Sequence, residues 1–266
     1  MSTKTLAIVG CGKLATLVTD ALIAGLLPDY KLIGTFSRSI DKAKAIAEKV
    51  QHANPGNLCT PCENLEDLLS LKPDYILEMA SPDSMRSLAL PALKNGSSIV
   101  TLSIGVFADT DFYEEVKKVA LENQTRVHLV SGAIGGFDVL RTVSLMGNCS
   151  ASFSTEKGPQ SLRKSSIYDE SLQTEQRKVF EGNAKEAIAL FPTSVNVAVA
   201  ASLASVGPTE MKVSVTSTPN FVGDDHRIEI KSDQVHAVID VYSKTAQIAG
   251  WSVVNTLRNI TSPIVF

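Results

Sequence analysis

A chain of 266 residues with 44% hydrophobic and 20% charged side chains has ordinary globular composition, and its length suffices for one large domain or two modest ones. A net charge of −3 without a long basic block argues against nucleic acid or an anionic membrane surface as a partner. No apolar run approaches the ~18 residues of a membrane-crossing helix, and the chain enters a strand at once, so no signal peptide is expected and the cytoplasm is the expected location.

The first apolar run, Leu6-Ala7-Ile8-Val9, breaks at Gly10-x-Gly12-x-x-Ala15 and gives way to helical spacing of Leu14, Leu17, Val18, Ala21 and Leu22. Strand, glycine turn and helix in that order form the context of a dinucleotide-binding loop. Gly10 allows the tight turn, Gly12 lets a pyrophosphate approach the backbone, and Ala15 lets the helix pack close to the strand. The phosphates would meet the free N–H groups at the helix start, where Lys13 and Leu14 lie. An ordinary strand–helix turn with two incidental glycines is the alternative.

A strand is then expected over 31–36, a helix over 40–49, a polar loop over 51–61, a short segment over 64–71 and a strand over 75–79. Ser81-Pro82-Asp83 caps a helix that runs to about residue 94, with proline where the first turn needs no N–H donor. Asn95-Gly96 ends it; a strand over 98–102, an amphipathic helix over 109–123 and a strand over 126–130 follow. This repetition predicts an α/β fold with a Rossmann-type, doubly wound parallel sheet.

Gly132, Gly135 and Gly136 break the rhythm. Beyond them, strand-like runs over 150–155, 211–217, 227–231 and 236–242, with helical stretches over 180–191 and 195–204, predict a second, α+β domain with a largely antiparallel sheet. The polar stretch 158–176 is expected as a surface loop with a short helix, and a last helix over 244–257 is expected to return to the first domain. The expected division is 1–135 plus 245–266 for the dinucleotide-binding domain and 136–244 for the second.

Open α/β sheets bind ligands outside the carboxyl ends of their strands. The loop at 10–15 would take the pyrophosphate, Ala80, Ser81 and Pro82 would lie along the ribose and nicotinamide, and Ser103 and Gly105 would flank the nicotinamide. The lysine-containing phosphate-loop spacing is absent, which favours a hydride carrier over a nucleoside triphosphate. The second strand ends Thr35-Phe36-Ser37-Arg38-Ser39, without the acid that selects NAD. Ser37 and Arg38 suit a 2′-phosphate, so NADP is preferred over NAD or both are used; alternatively Arg38 stacks on the adenine or faces solvent.

Cys59 and Cys62 form a C-x-x-C, but Cys11 and Cys149 supply no second pair, so free thiols and no metal site are expected. Among four histidines, His52 falls in a polar loop, and His128 and His236 fall in strand-like runs that suggest packing or surface roles. His226 stands apart at a loop–strand junction after Asp224-Asp225, two carboxylates that would raise its pKa from ~6.5 if close in space.

Four segments together resemble the L-aspartate dehydrogenase family. They are Ser131-Gly132-Ala133-Ile134-Gly135-Gly136-Phe137-Asp138; Phe180-Glu181-Gly182-Asn183-Ala184-Lys185-Glu186-Ala187 running through Phe191-Pro192 to Asn196-Val197-Ala198; the His226-x-Ile-Glu stretch; and Lys244-Thr245 leading to Ser252-Val253-Val254 and Leu257-Arg258. The resemblance implies a Rossmann domain plus an α+β substrate and dimerisation domain, and a second domain with an exposed-looking sheet face makes a homodimer the expected assembly. It implies reversible NAD(P)-dependent oxidative deamination of L-aspartate to iminoaspartate, then oxaloacetate and ammonia, a route that in some organisms feeds NAD biosynthesis.

By that resemblance, His226 is the catalytic histidine and Asn196 the active-site asparagine, while Ala133, Ile134 and Gly135 line the substrate pocket, with Ala133 also beside the cofactor. His226 would take a proton from the substrate ammonium and then activate water. The substrate carboxylates would meet backbone N–H groups at 133–136 and a lysine. The chain departs from the family pattern in three further places besides the acid-free second strand: Asp224 replaces an asparagine, Ser217-Thr218-Pro219 replaces Ala-Asp-Pro, and Tyr242-Ser243-Lys244-Thr245 replaces Asn-Pro-Lys-Thr. Competing readings are an NADP-dependent reductase of another small amino or keto acid, and a non-catalytic NADP-binding regulatory protein.

Overall fold

A computed structural model of the chain describes residues 3–163, 165–192 and 195–266. The chain divides into two compact units, one from Met1–Val106, Thr110–Val130 and Ala249–Phe266, the other from Phe107–Asp109 and Ser131–Ile248.

The first unit alternates strand and helix: β1 (Lys4–Val9), α1 (Lys13–Ile23), β2 (Tyr30–Phe36), α2 (Ile40–Ala53), β3 (Thr60–Cys62), α3 (Leu65–Ser70), β4 (Tyr75–Glu78), α4 (Pro82–Lys94), β5 (Ser98–Thr101), α5 (Thr110–Glu122) and β6 (Val127–Leu129). All neighbouring strands pair in parallel, in the order β3-β2-β1-β4-β5-β6. The central strands β1, β4 and β5 are largely buried, which is why they read as apolar runs rather than alternating patterns. Leu6, Ile8, Leu32, Leu77 and Val100 are each at most 1% exposed, and burying one such side chain stabilises by about 1.5–3 kcal/mol. The strand order reverses between β1 and β4, and the crevice at that switch point is where such sheets take ligands. The polar stretch after α2 is shorter than the sequence suggests, because α2 runs on through His52 to Ala53 and β3 takes up its end.

The second unit holds α6 (Phe137–Leu145), β7 (Ser150–Lys157), β8 (Arg177–Asn183), α7 (Ala184–Leu190), α8 (Asn196–Leu203), β9 (Lys212–Ser217), β10 (Asp224–Lys231) and β11 (His236–Ser243). Its sheet runs β11-β10-β7-β9-β8, antiparallel except for the parallel pair β7–β9. Burial alternates along each inner strand, so one face carries Ala151, Phe153, Thr155 and Lys157 of β7, Val213, Val215 and Ser217 of β9, and His226, Ile228 and Ile230 of β10.

Three local expectations are corrected here. Residues 180–183 belong to strand β8, and the helix starts only at Ala184. Asn183 ends the strand by accepting from Glu186 N at 2.9 Å while Glu186 Oε2 accepts from Asn183 N, a reciprocal cap that sets the helix start. Helix α6 was hidden by the glycines before it, of which Gly136 is its N-cap at φ +72°. The stretch 158–176 is not simply surface: two 3-10 turns, Pro159–Leu162 and Glu170–Gln173, bury Leu162 and Leu172.

The last helix, α9 (Gln247–Thr261), packs from Ala249 onward within the first unit. Val253, Val254 and Leu257 join the apolar cluster around β1 and α1, and Tyr30 Oη donates to Leu257 O at 2.8 Å. Gly250 permits the approach, since a Cβ there would lie 3.1 Å from the Leu17 side chain.

Candidate active site

In the first unit, the end of β1 turns sharply at Gly10, whose φ is +96°. A Cβ at Gly10 would lie 2.7 Å from Ala80 Cβ, Ala80 N and Met79 C, so the glycine loop and the turn after β4 are in direct contact. A Cβ at Gly12 would meet nothing within 4 Å, and Gly12 caps α1 without any side-chain hydrogen bond. This 11-residue helix has no acid in its first turn, and its N-cap Gly12 borders the cavity that opens here, a setting suited to phosphate. Ala15 is fully buried where helix meets sheet.

A cavity of about 490 Å³ opens here, lined among others by Gly10, Gly12, Ser37, Arg38, Lys42, Ala80 and Ser81. Lys13 and Leu14 open α1 and Pro82 opens α4, all three outside that lining. Ser81 Oγ accepts from Ser84 N at 3.2 Å and so caps α4. Lys42 adds a second cation beside Arg38, and the acid in the lining, Asp83, comes from α4 rather than β2. The residues present thus fit a dinucleotide: a backbone cradle kept open at Gly12, and cations with no acid at the end of β2.

Ser103 and Gly105 follow β5, with Gly105 in the 3-10 turn Ile104–Ala108. Ser103 is joined to Ala80 and Ser81 through Glu78, a residue whose importance the sequence hides as one acid in an apolar strand. Glu78 is fully buried, and its carboxylate accepts hydrogen bonds from Ala80 N, Ser81 N, Ser103 Oγ and Thr101 Oγ1.

In the second unit, His226 is 2% exposed and lies opposite Thr155 in the β7–β10 register. Its Nδ1 is 2.9 Å from Thr155 Oγ1, and its ring sits 5.5 Å from that of Phe153. One rung further along the same face, Asp224 opposes Lys157, and the Lys157 ammonium donates to the Asp224 carboxylate. Lys157 is almost wholly buried while Asp224 is about one-third exposed, so the pair spans the edge between core and solvent.

The sequence expectation of a raised His226 pKa is overturned. Strand alternation turns Asp225 to the opposite face, leaving Asp224 alone to raise it. Burial, reinforced by the Lys157 charge, outweighs that carboxylate and pushes the imidazole down to about 4. At neutral pH His226 is therefore an uncharged base or hydrogen-bond partner. Neither Lys157 nor Thr155 is adjacent to His226 in sequence; the register of β7 against β10 brings them there.

The glycine segment before α6 packs on this same face. A Cβ at Gly136 would clash with the Ile239 side chain at 2.4 Å, and Ile239 shares the sheet face of His226 through its pairing with Ile228. Gly132, at φ +61°, would bring a Cβ 3.1 Å from Val197 Cγ1. Ala133, Ile134 and Gly135 thus lie in a segment held at one end by the residue next to Asn196 and at the other by β11. Asn196 is half-buried as the first residue of α8. Among the described residues, no group of three or more His, Cys, Asp or Glu side chains is placed to hold a metal ion. Among the described residues, no helix is long and apolar enough to cross a membrane. The four cysteines are free, and burial raises the thiols of Cys11 and Cys59 to about 11 and about 12.

Comparison with known proteins agrees along both units. Residues 10–130 match the family model described as homoserine dehydrogenase, NAD binding domain, and residues 138–260 match that described as aspartate dehydrogenase, C-terminal. An L-aspartate dehydrogenase of Methanococcus maripaludis is 30% identical over 97% of both chains, and that of Methanosarcina mazei is 28% identical over 97% of both. The crystal structure of the aspartate dehydrogenase of Thermotoga maritima covers 99% of both chains with a TM-score of 0.75 and 26% identity. A hyperthermophilic archaeal homoserine dehydrogenase in complex with NADPH shares the fold at a TM-score of 0.63 and 13% identity, covering 99% of this chain and 100% of that one.

Proposed function

This chain belongs to the L-aspartate dehydrogenase family and is an amino-acid dehydrogenase; we propose that it oxidises L-aspartate reversibly to iminoaspartate, which is hydrolysed to oxaloacetate and ammonia. When bound, the nicotinamide dinucleotide supplies the hydride acceptor for the substrate Cα hydrogen. The observation that carries the reading is the buried His226, held by Thr155 and set one rung from a buried lysine.

With Nδ1 on the Thr155 hydroxyl, Nε2 is the nitrogen left for the substrate. In the tautomer that protonates Nδ1, Nε2 accepts a proton from the substrate ammonium, releases it to solvent after the hydride has left, and is then free to take one from the water that attacks the imine. Such general-base assistance contributes roughly 10²–10⁴-fold. One of the three donors on Lys157 goes to Asp224, and the others serve a substrate carboxylate. A carboxylate there offsets the cation that depresses His226, so the base strengthens as the substrate arrives. The Asn196 amide and the backbone N–H groups of 133–135 orient the substrate.

NADP is the preferred cofactor in this reading, because Arg38 and Lys42 line the cavity with Ser37 and no acid ends β2. A homodimer is the proposed assembly: β11 is an edge strand, and Val238 and Tyr242 stand exposed on its outer side. Three buried free thiols support a reducing compartment, the cytoplasm.

The test is reduction of oxaloacetate with ammonia, run with NADPH and NADH and compared with other keto acids. Oxaloacetate is expected to be the best acceptor. Faster turnover of another keto acid would replace the substrate, and nucleotide binding with no turnover of any would replace the enzyme by a regulatory protein.

A further inference from the structure

We propose that Glu78 is a positioning residue for the cofactor, its buried carboxylate holding the loops after β4 and β5 in the arrangement a dinucleotide meets. The inference rests on the reading that the cavity at Gly10 and Ala80 takes a nicotinamide dinucleotide.

Glu78 ends β4 after Ile76 and Leu77 and is as completely buried as they are. An ionised carboxylate removed from water is costly unless donors surround it. Here Oε1 accepts from Ala80 N at 3.0 Å, Ser81 N at 3.1 Å and Ser103 Oγ at 3.0 Å, and Oε2 accepts from Thr101 Oγ1 at 2.7 Å. Ser103 N donates to Thr101 Oγ1 at 2.9 Å, which aims the threonine proton at Glu78. Burial raises the acid while all four donors oppose the rise.

The groups held this way are not remote from the cavity. Ala80 and Ser81 line it, and Ala80 is the wall against which Gly10 turns. The same carboxylate reaches the loop after β5 through Ser103. One side chain therefore sets the distance between two loops that come from adjacent strands, the first of which borders the switch point. Packing alone would be served by leucine or glutamine. Glutamine differs in one decisive way: its NH2 group must face donors that already point inward.

The experiment uses the full-length protein with Glu78→Gln, and Thr101→Val as a second variant that removes one donor and keeps the carboxylate. Titration calorimetry measures affinity for NADPH and for adenosine 2′,5′-bisphosphate, which lacks the nicotinamide half. Hydrogen exchange follows the Ala80 and Ser81 amides without any nucleotide. In Glu78→Gln, NADPH affinity is expected to fall about tenfold or more, the scale of a lost hydrogen bond to a charged group, while adenosine bisphosphate stays within about twofold. The Ala80 and Ser81 amides should exchange faster, and Thr101→Val should shift both readouts in the same direction by less. If Glu78→Gln does not fold, Thr101→Val decides by the same ratio. Unchanged NADPH affinity, or equal losses for both nucleotides, would overturn the proposal. A wild-type protein that binds neither NADPH nor NADH would instead overturn the cofactor reading, and the proposal with it.

Discussion

His226 and Thr155 face each other across the β7–β10 ladder, with the imidazole Nδ1 2.9 Å from the threonine hydroxyl. In the proposed mechanism the hydroxyl fixes which ring nitrogen is left for chemistry, so Thr155→Val should misdirect the base without emptying its place. We expect kcat to fall roughly tenfold with KM little changed, and stability to fall by about 1 kcal/mol, the net worth of one buried hydrogen bond. Steady-state kinetics and urea unfolding check both; an unchanged kcat would show that the ring needs no orienting partner.

His226→Ala should reduce turnover by roughly 10²–10⁴-fold, the range of general acid–base assistance. The cavity at Gly10 is lined by residues of the other unit, so NADPH affinity is expected to remain at the wild-type value. Single-turnover kinetics alongside nucleotide titration separates the two effects. Wild-type turnover would remove His226 from the mechanism.

The depressed pKa of His226 also shapes stability. Unfolded, the imidazole titrates near 6.5; folded, burial and the Lys157 charge hold it to about 4. Between those values the unfolded chain binds more protons, so stability rises with pH there. The contribution is complete above 6.5 and is lost as pH falls from there toward 4. His226→Asn should flatten the melting temperature across that window, measured against wild type in matched buffers. Parallel curves for the two proteins would contradict the shift.

How much of this was legible from residues alone differs between the two units. The parallel sheet was readable because strands covered on both faces, such as Leu6 to Val9, are continuous apolar runs closed by turn residues. Strand β8 was not, since its Phe180-Glu181-Gly182-Asn183 run joins directly to an alanine-rich helix and period alone cannot separate them. The Asn183–Glu186 spacing was the available signal for that boundary. The charge on His226 was misread because its chain neighbours Asp224 and Asp225 are visible in sequence, while Lys157 is brought beside it from 67 residues before Asp224 by sheet register. Glu78 carries no motif at all; two of its four donors, the Thr101 and Ser103 hydroxyls, become apparent only once β4 and β5 lie side by side.

Arg38 tests cofactor choice. It is exposed at the end of β2 with Lys42 in the same cavity lining, and a guanidinium paired with a 2′-phosphate makes charge-assisted bonds worth about 1.5–3 kcal/mol. Arg38→Ala should raise KM for NADPH by roughly tenfold or more and leave KM for NADH within about twofold. Parallel kinetics with the two cofactors decides; equal changes would assign Arg38 to the adenine or to solvent.

In the proposed mechanism Lys157 joins substrate binding to base strength, and the two roles separate by mutation. Lys157→Met keeps the length of the buried stem and removes the ammonium. Without that cation, the carboxylate of Asp224 still raises the His226 pKa and one of the two opposing influences is gone. The acid limb of kcat/KM should therefore move to higher pH. Loss of a carboxylate donor should raise KM for oxaloacetate by roughly ten- to a hundredfold, as expected when a buried charged partner is removed. Asp224→Asn acts with the opposite sign, because the group that raises the imidazole is lost while Lys157 remains, and its acid limb should move to lower pH. Profiles of both variants between pH 4 and 8 provide the check. A KM rise in Lys157→Met without displacement of the limb would leave the lysine as a binding group and locate the depression of His226 in burial alone.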